Sequence, residues 1–366
     1  MEGMNTNNIM DINRILDEAR ELGCSDLHFT AGLPPVVRLH GSIRKLSGYP
    51  DCTEPIIVNI INQITSIKHK SQISKGLDTD FSYVSTAGFR HRVNVYRQRG
   101  YHAVAIRLLR NDIPTLADLS LPATLGEFAM APRGLVLVTG PTGSGKSTTL
   151  YATLGELSKP NVNIVTVEDP VEKKIDGVNQ CQINAKAGMT FAAALRSILR
   201  QDPDIIMVGE IRDGETADIA IRAAITGHFV LSTLHTNDAA STIVRLVDMG
   251  VAPYMVASSL VGIIAQRLVK LLCNECKEKI TLTDPADLRL VSMDKPVQIC
   301  QAHKGGCKKC RGTGYSGRTA IHEIIVTSND IKELISRGAT AEEIGAKATE
   351  NGTLLLRDNV TKMVLA

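Results

Sequence analysis

The stretch Gly140-Pro-Thr-Gly-Ser-Gly145-Lys146-Ser147-Thr148 decides how this chain is read. It follows the apolar run Leu135 to Val138 and opens a helix-compatible segment, Lys146 to Leu157. A strand that turns through glycines into a helix leaves the first helical N–H groups without backbone partners, and they converge on an anion. Lys146 adds a charge suited to the outer phosphates of a nucleotide, and Ser147 a hydroxyl suited to Mg²⁺. Gly140, Pro141, Thr142, Gly143, Ser144, Gly145, Lys146, Ser147 and Thr148 are therefore candidate contacts for ATP, with Ser147 the candidate Mg²⁺ ligand. The bland alternative is a tight glycine-rich turn without a ligand.

Downstream, strand-like and helix-like segments alternate: Ile164 to Val167, Phe191 to Leu199, Ile205 to Val208, Gly214 to Ile225, Phe229 to Thr233, then two more helices. Such alternation predicts an α/β domain with a parallel sheet flanked by helices. Ligands of open parallel sheets sit at the carboxyl ends of the strands. Acids placed there are expected to face the loop: Glu168, Asp169 and Glu172 after one strand, Glu210 after another. They could complete the Mg²⁺ shell or orient and deprotonate an attacking water, or be solvated strand-end acids. His228 and His235 bracket the strand Phe229 to Thr233; they are phosphate sensors or ordinary structural histidines. The apolar segment Val251 to Ala265 is too short for a membrane span and reads as a buried core helix.

Upstream, the helical period from Ile9 to Leu22 and the short segments Asp26 to Thr30, Val36 to Leu39, Phe81 to Ser85, Phe89 to Tyr96 and Ala103 to Leu108 predict a small α+β domain over 1–110. The proline-bearing segment 111–133 reads as a linker or hinge, with the nucleotide domain over 134–366. At 366 residues two domains fit, and 43% hydrophobic with 22% charged residues excludes a mostly disordered or fibrous chain. A net charge of +3 supplies no general reason for a polyanionic partner. The start, MEGMNTNNIM, lacks the basic and apolar regions of a signal peptide, so a cytoplasmic location is expected.

Cys273-x-x-Cys276 and Cys307-x-x-Cys310 form a complete tetrahedral donor set over 273–310, for which a structural Zn²⁺ is the favoured ligand and four buried free thiols the alternative. Four thiolates leave no open position, so such a metal would stabilise a subdomain and not catalyse. Arg90, Arg92, Arg97, Arg99, Arg107 and Arg110 crowd the last strands of the first domain, where most are expected to be solvated.

Four stretches in order resemble the type II/type IV secretion motor ATPase family: Gly140 to Thr148, Glu168-Asp-Pro-Val-Glu172, Asp202 to Asp213 and Gly227 to Thr236. They are similar to its Walker A motif, Asp box, atypical Walker B and His box. Ser25-Asp-Leu-His28 and Phe89 to Asn94 resemble its N-terminal domain. The resemblance implies a RecA-like P-loop motor domain preceded by a PAS-like α+β domain, assembled as a homo-hexameric ring acting on an inner-membrane platform protein. It also implies that Glu172 and Glu210 are catalytic, that Arg92 and Arg107 contact phosphate, and that His228 and His235 are functional. The short N-terminal region resembles the retraction (PilT-like) members. The four cysteines and Thr319-Ala-Ile-His-Glu323 resemble the assembly (PilB/GspE-like) members, which favours pilus assembly or secretion over retraction.

Two other classes share the loop. A nucleic-acid translocase is disfavoured by the near-neutral charge and the lack of an aromatic-basic run. A nucleotide-binding scaffold without turnover is disfavoured by the presence of Lys146, Ser147, Glu172 and Glu210 together.

Overall fold

Asp11 opens the first helix, Ile12–Glu21, by accepting from the N–H of Asn13, and the helix buries Ile12, Ile15, Leu16 and Ala19 along one stripe. The computed structural model describes residues 10–39, 42–109, 113–119 and 121–366, in two units, Met1–Asp112 and Ile113–Ala366. Ile9, Arg110 and residues 111–112 at the start of the expected linker lie outside the described residues.

The first unit is a six-stranded antiparallel sheet. Its strands are β1 (Cys24–Phe29), β2 (Val36–Leu39), β3 (Ser42–Lys45), β4 (Thr79–Val84), β5 (Arg90–Gln98) and β6 (Tyr101–Leu108), in spatial order β3-β2-β1-β6-β5-β4. Inward residues of β1, β5 and β6 meet the first helix and the helix Glu54–Ile64, which buries Ile57, Ile60, Ile61 and Ile64. This is the α+β architecture expected from the alternating segments.

The second unit holds β7 (Gly134–Thr139), β8 (Ile164–Glu168), β9 (Val178–Gln182), β10 (Ile205–Val208), β11 (Phe229–Leu234), β12 (Leu260–Leu272), β13 (Glu278–Leu282), β14 (Val297–Gln301) and β15 (Tyr315–Val326). Seven form one sheet in the order β15-β12-β7-β11-β10-β8-β9, parallel except for β15 against β12. Every residue of β7, β8, β10 and β11 is buried, as expected when helices cover both faces of a parallel sheet. Val136 and Val138 face the helix Lys146–Leu157, whereas Leu135 and Leu137 face the helices Gly214–Thr226 and Pro253–Ser259. The chain leaves β7 for β8 on one side and β11 for β12 on the other. That divergence opens a crevice at the carboxyl ends of β7 and β11.

Two expectations change. The run Val251 to Ala265 is not one helix: a short helix, Pro253–Ser259, gives way to β12 at Leu260. Continuous apolar runs carry no period that separates buried helix from buried strand. Parallel pairing with β7 decides, and Gly262 in that strand leaves room for the helix Ala123–Ala129, since a Cβ there would lie 2.2 Å from the Phe128 ring. The proline-bearing segment is also more than a hinge. From Ile113 onward it belongs to the second unit, and its helix Ala123–Ala129 buries Leu125 and Phe128 in that unit's core.

Beyond the sheet, β12 and β15 run on as an antiparallel arm paired as far as Leu272 and Tyr315. Between them lie the β13–β14 hairpin and the four cysteines. No described helix is long and apolar enough to cross a membrane.

Candidate functional site

A cavity of about 590 Å³ opens at the carboxyl ends of the parallel strands. The loop between β7 and the helix Lys146–Leu157 forms one wall, with Gly145 as the N-cap at φ 91°. Gly140 and Gly145 are sterically required. A Cβ at Gly140 would stand 2.4 Å from the Gln266 carbonyl oxygen, and one at Gly145 would stand 2.8 Å from Gln266 Nε2. The helix N-terminus faces this cavity with its free N–H groups and partial positive charge. Lys146 Nζ donates to the carbonyls of Gly140 (2.8 Å) and Pro141 (3.1 Å), and desolvation lowers its pKa while the charge of Glu210 acts the other way. Reaching a phosphate requires the ammonium to leave those carbonyls.

The opposite wall is acidic. Glu168, at the end of β8, is buried and accepts from Tyr151 Oη, from Thr166 Oγ1 (2.6 Å) and from Gln180 Nε2 (3.0 Å). Tyr151 Oη in turn accepts from the Glu172 N–H at 3.0 Å, so one phenol ties the two glutamates together. The Glu172 side chain reaches solvent in a concave wall, and loss of surrounding water, then the charge of Glu168, push its pKa up. Glu210 is held by its neighbours: the Gly209 N–H donates to Val167 O (2.8 Å), Thr233 Oγ1 donates to Gly209 O (2.7 Å), and the Ile211 N–H donates to Thr233 O (3.0 Å). Its carboxylate pairs with Arg212 and lies 3.6 Å from His235 Nε2. Arg212 also reaches Asp169 at 3.7 Å, and its hydrogen bond to Glu210 raises its pKa.

The cavity therefore collects Thr142, Gly143, Gly145, Lys146, Ser147 and Thr148 with Glu168, Asp169, Glu172, Glu210 and His235. His228 is not brought to this cavity. It precedes β11, about 20 Å of strand away from the cavity. There its N–H (3.1 Å) and Nδ1 (3.0 Å) meet Ala223 O at the end of the helix Gly214–Thr226, a structural contact. Arg92 and Arg107 belong to the first unit, where they are cross-strand neighbours on β5 and β6 and Arg107 Nε bonds Asp26 at 3.1 Å. Sequence reasoning did not single out Tyr151, Arg212, Thr233, Gln266, Leu268 or Arg318 as site residues. Arg212 stood inside a quoted motif stretch, but Leu268 and Arg318 come from the β12–β15 arm and have no local signal.

On that arm the four cysteines gather with all sulfurs within 4.8 Å of one another. The Sγ···Sγ separations are 3.8 Å for Cys273–Cys307, 3.7 Å for Cys276–Cys310 and 3.8 Å for Cys307–Cys310, too long for disulfides. Backbone N–H groups of Cys307 (3.0 Å) and Gly314 (3.2 Å) donate to Cys310 Sγ, and the first of these leads the shift that lowers its pKa to about 6. This set is suited to a metal ion.

A phosphate-binding loop at the divergence of a mostly parallel sheet, faced by acids from the ends of two neighbouring strands, defines the P-loop class of nucleotide-binding proteins. The family model described as "Type II/IV secretion system protein" matches residues 85–366, and the chain belongs to that family. It is 40% identical over 369 residues to the type IV pilus assembly ATPase PilB of Thermus thermophilus, covering 95% of this chain and 40% of that protein. It is 39% identical over 366 residues to the type II secretion system protein E of Pseudomonas aeruginosa, covering 97% of this chain and 72% of that one. The crystal structure of the pilus retraction motor PilT with bound ADP is similar at a TM-score of 0.72 and 34% identity, over 96% of both chains. This chain thus spans less than half the length of the PilB relative.

Proposed function

We propose that this chain is an ATPase whose hydrolysis of ATP drives type IV pilus assembly or type II secretion. The observation that carries this is the meeting of Lys146 and Ser147 with Glu172 and Glu210 in one cavity, in a family whose relatives include named pilus-assembly ATPases. Loop N–H groups and Lys146 hold the phosphates. Ser147, with help from the acidic wall, would hold Mg²⁺, which supplies charge neutralisation at the phosphates. Glu172, with its raised pKa, is poised to take a proton from water, and Glu210 orients the attacking side through its contacts with Arg212 and His235. Leu268 and Arg318 offer an apolar surface and a guanidinium plane to a base. Following the family resemblance, Arg92 and Arg107 meet phosphate charge during the cycle, for which Arg107 must release Asp26.

The four cysteines bind Zn²⁺ in this proposal. Ligands at about 2.3 Å in a tetrahedron stand about 3.8 Å apart, which the sulfur spacing matches. The working form is a homo-hexameric ring at the cytoplasmic face of the inner membrane, moving a platform protein. Retraction is the second reading, favoured by the similarity to the PilT structure along nearly all of both chains. Glu210→Gln tests both: it should bind ATP and release little phosphate. Cells carrying it should lose surface filaments if the motor assembles them and accumulate filaments if it retracts them. Unimpaired phosphate release would remove Glu210 from the mechanism.

A further inference from the structure

We propose that Gln266, on β12, positions the phosphate-binding loop. This deepens the ATPase reading and rests on it. Gln266 is 2% exposed, and both ends of its side-chain amide are used. Nε2 donates to the Ser144 carbonyl at 2.8 Å, and Oε1 accepts from Thr149 Oγ1 at 2.8 Å. Those partners flank Lys146 and Ser147 in the chain, so a single amide clamps the loop on one side and the first helical turn on the other. The contact is backbone-directed on the loop side: the Ser144 hydroxyl is buried without a partner among the described residues, and Gln266 Nε2 engages the Ser144 carbonyl. The glycines record the same closeness, because the Gln266 carbonyl and Nε2 occupy the space where side chains at Gly140 and Gly145 would go.

The chemistry requires glutamine. Methionine matches its length with no donor and only a weak sulfur acceptor, and glutamate would set a carboxylate against the Ser144 carbonyl beside a polyphosphate site. A loop preorganised by this clamp presents its N–H groups without having to be ordered by the ligand, so loss of the clamp falls on nucleotide affinity. Because β12 also carries Leu268 into the cavity and leads to Cys273, Gln266 is where that strand holds the loop.

The test uses the full chain, with equilibrium ATP binding in Mg²⁺, steady-state turnover and melting without nucleotide. Gln266→Met should weaken ATP binding about tenfold and raise KM more than it lowers kcat, with the unliganded melting temperature moved by only a few degrees. Thr149→Val should act in the same direction, and the double variant should add little to either single change. Wild-type ATP affinity in Gln266→Met, or a lowered melting temperature with affinity intact, overturns the proposal. If Gln266→Met does not fold, Thr149→Val alone decides, and unchanged affinity there overturns it equally. A wild-type chain that neither binds nor hydrolyses ATP sinks the ATPase reading and this inference together; normal wild-type turnover with unaffected variants sinks this inference alone.

Discussion

The cavity at the strand ends and the cysteine cluster both touch the β12–β15 arm, the cavity through Leu268 and Arg318 and the cluster beyond its far end, but they are built on opposite plans. The cluster takes four side chains from two short segments, and its donors lie against one another with backbone N–H groups turned onto Cys310. The cavity is open, takes its main anion donors from backbone, and draws its walls from residues between Thr142 and Arg318. A closed set of soft donors suits a structural ion that stays; an open wall of paired acids and bases suits a ligand that changes charge and leaves.

The sharpest way to break the contrast is Lys146→Ala. Removing the one cation of the loop should lower ATP turnover on the order of 10³-fold while leaving metal content per chain untouched, read by phosphate release and elemental analysis. Turnover within tenfold of wild type would mean that the loop is not the phosphate site. Cys273→Ser should do the converse: lost metal, and loss of amide-exchange protection between Cys273 and Gly314, with the strands β7, β8, β10 and β11 still protected. Global unfolding instead would show the cluster to be part of the main core.

The smallest expected effect is a pH dependence confined to the cavity. Below its raised pKa Glu172 is protonated, so kcat/KM should fall on acidification at a pH above the ordinary carboxylate value of about 4.3, and Glu172→Gln should remove that limb. The stability sign is opposite. A carboxyl with a raised folded pKa contributes stability below its unfolded pKa and loses it as pH rises through the folded one, so acid favours this side chain's fold while disabling its chemistry. An acid limb that persists in Glu172→Gln would assign it to another group.

Local chemistry was legible along the chain. Gly140 to Ser147 and the two Cys-x-x-Cys pairs declare themselves because the residues that act together are close in sequence or fixed by spacing. The strands Ile205–Val208 and Phe229–Leu234 were legible because short apolar runs between turns have few other uses. Their following residues, Glu210 and His235, reach the cavity as strand-end logic requires, whereas His228 lies at the wrong end of the same strand. The strand β12 was not legible, since its apolar run fits a helix equally well until β7 is beside it.

What the sequence determined by itself was the set of donor groups: a glycine-rich loop with Lys146, strand-end acids and two Cys-x-x-Cys pairs, each encoded by residue type and short spacing. Only the tertiary structure decided which acid is tied up in hydrogen bonds and which distant side chain bonds to the loop. Glu168 is committed to Tyr151, Thr166 and Gln180, while Glu172 is left open in the cavity wall. Gln266 reaches Ser144 and Thr149 across the sheet. Such roles depend on which hydrogen-bond partners arrive from distant strands, and strand order is a property of the packed sheet rather than of any local stretch.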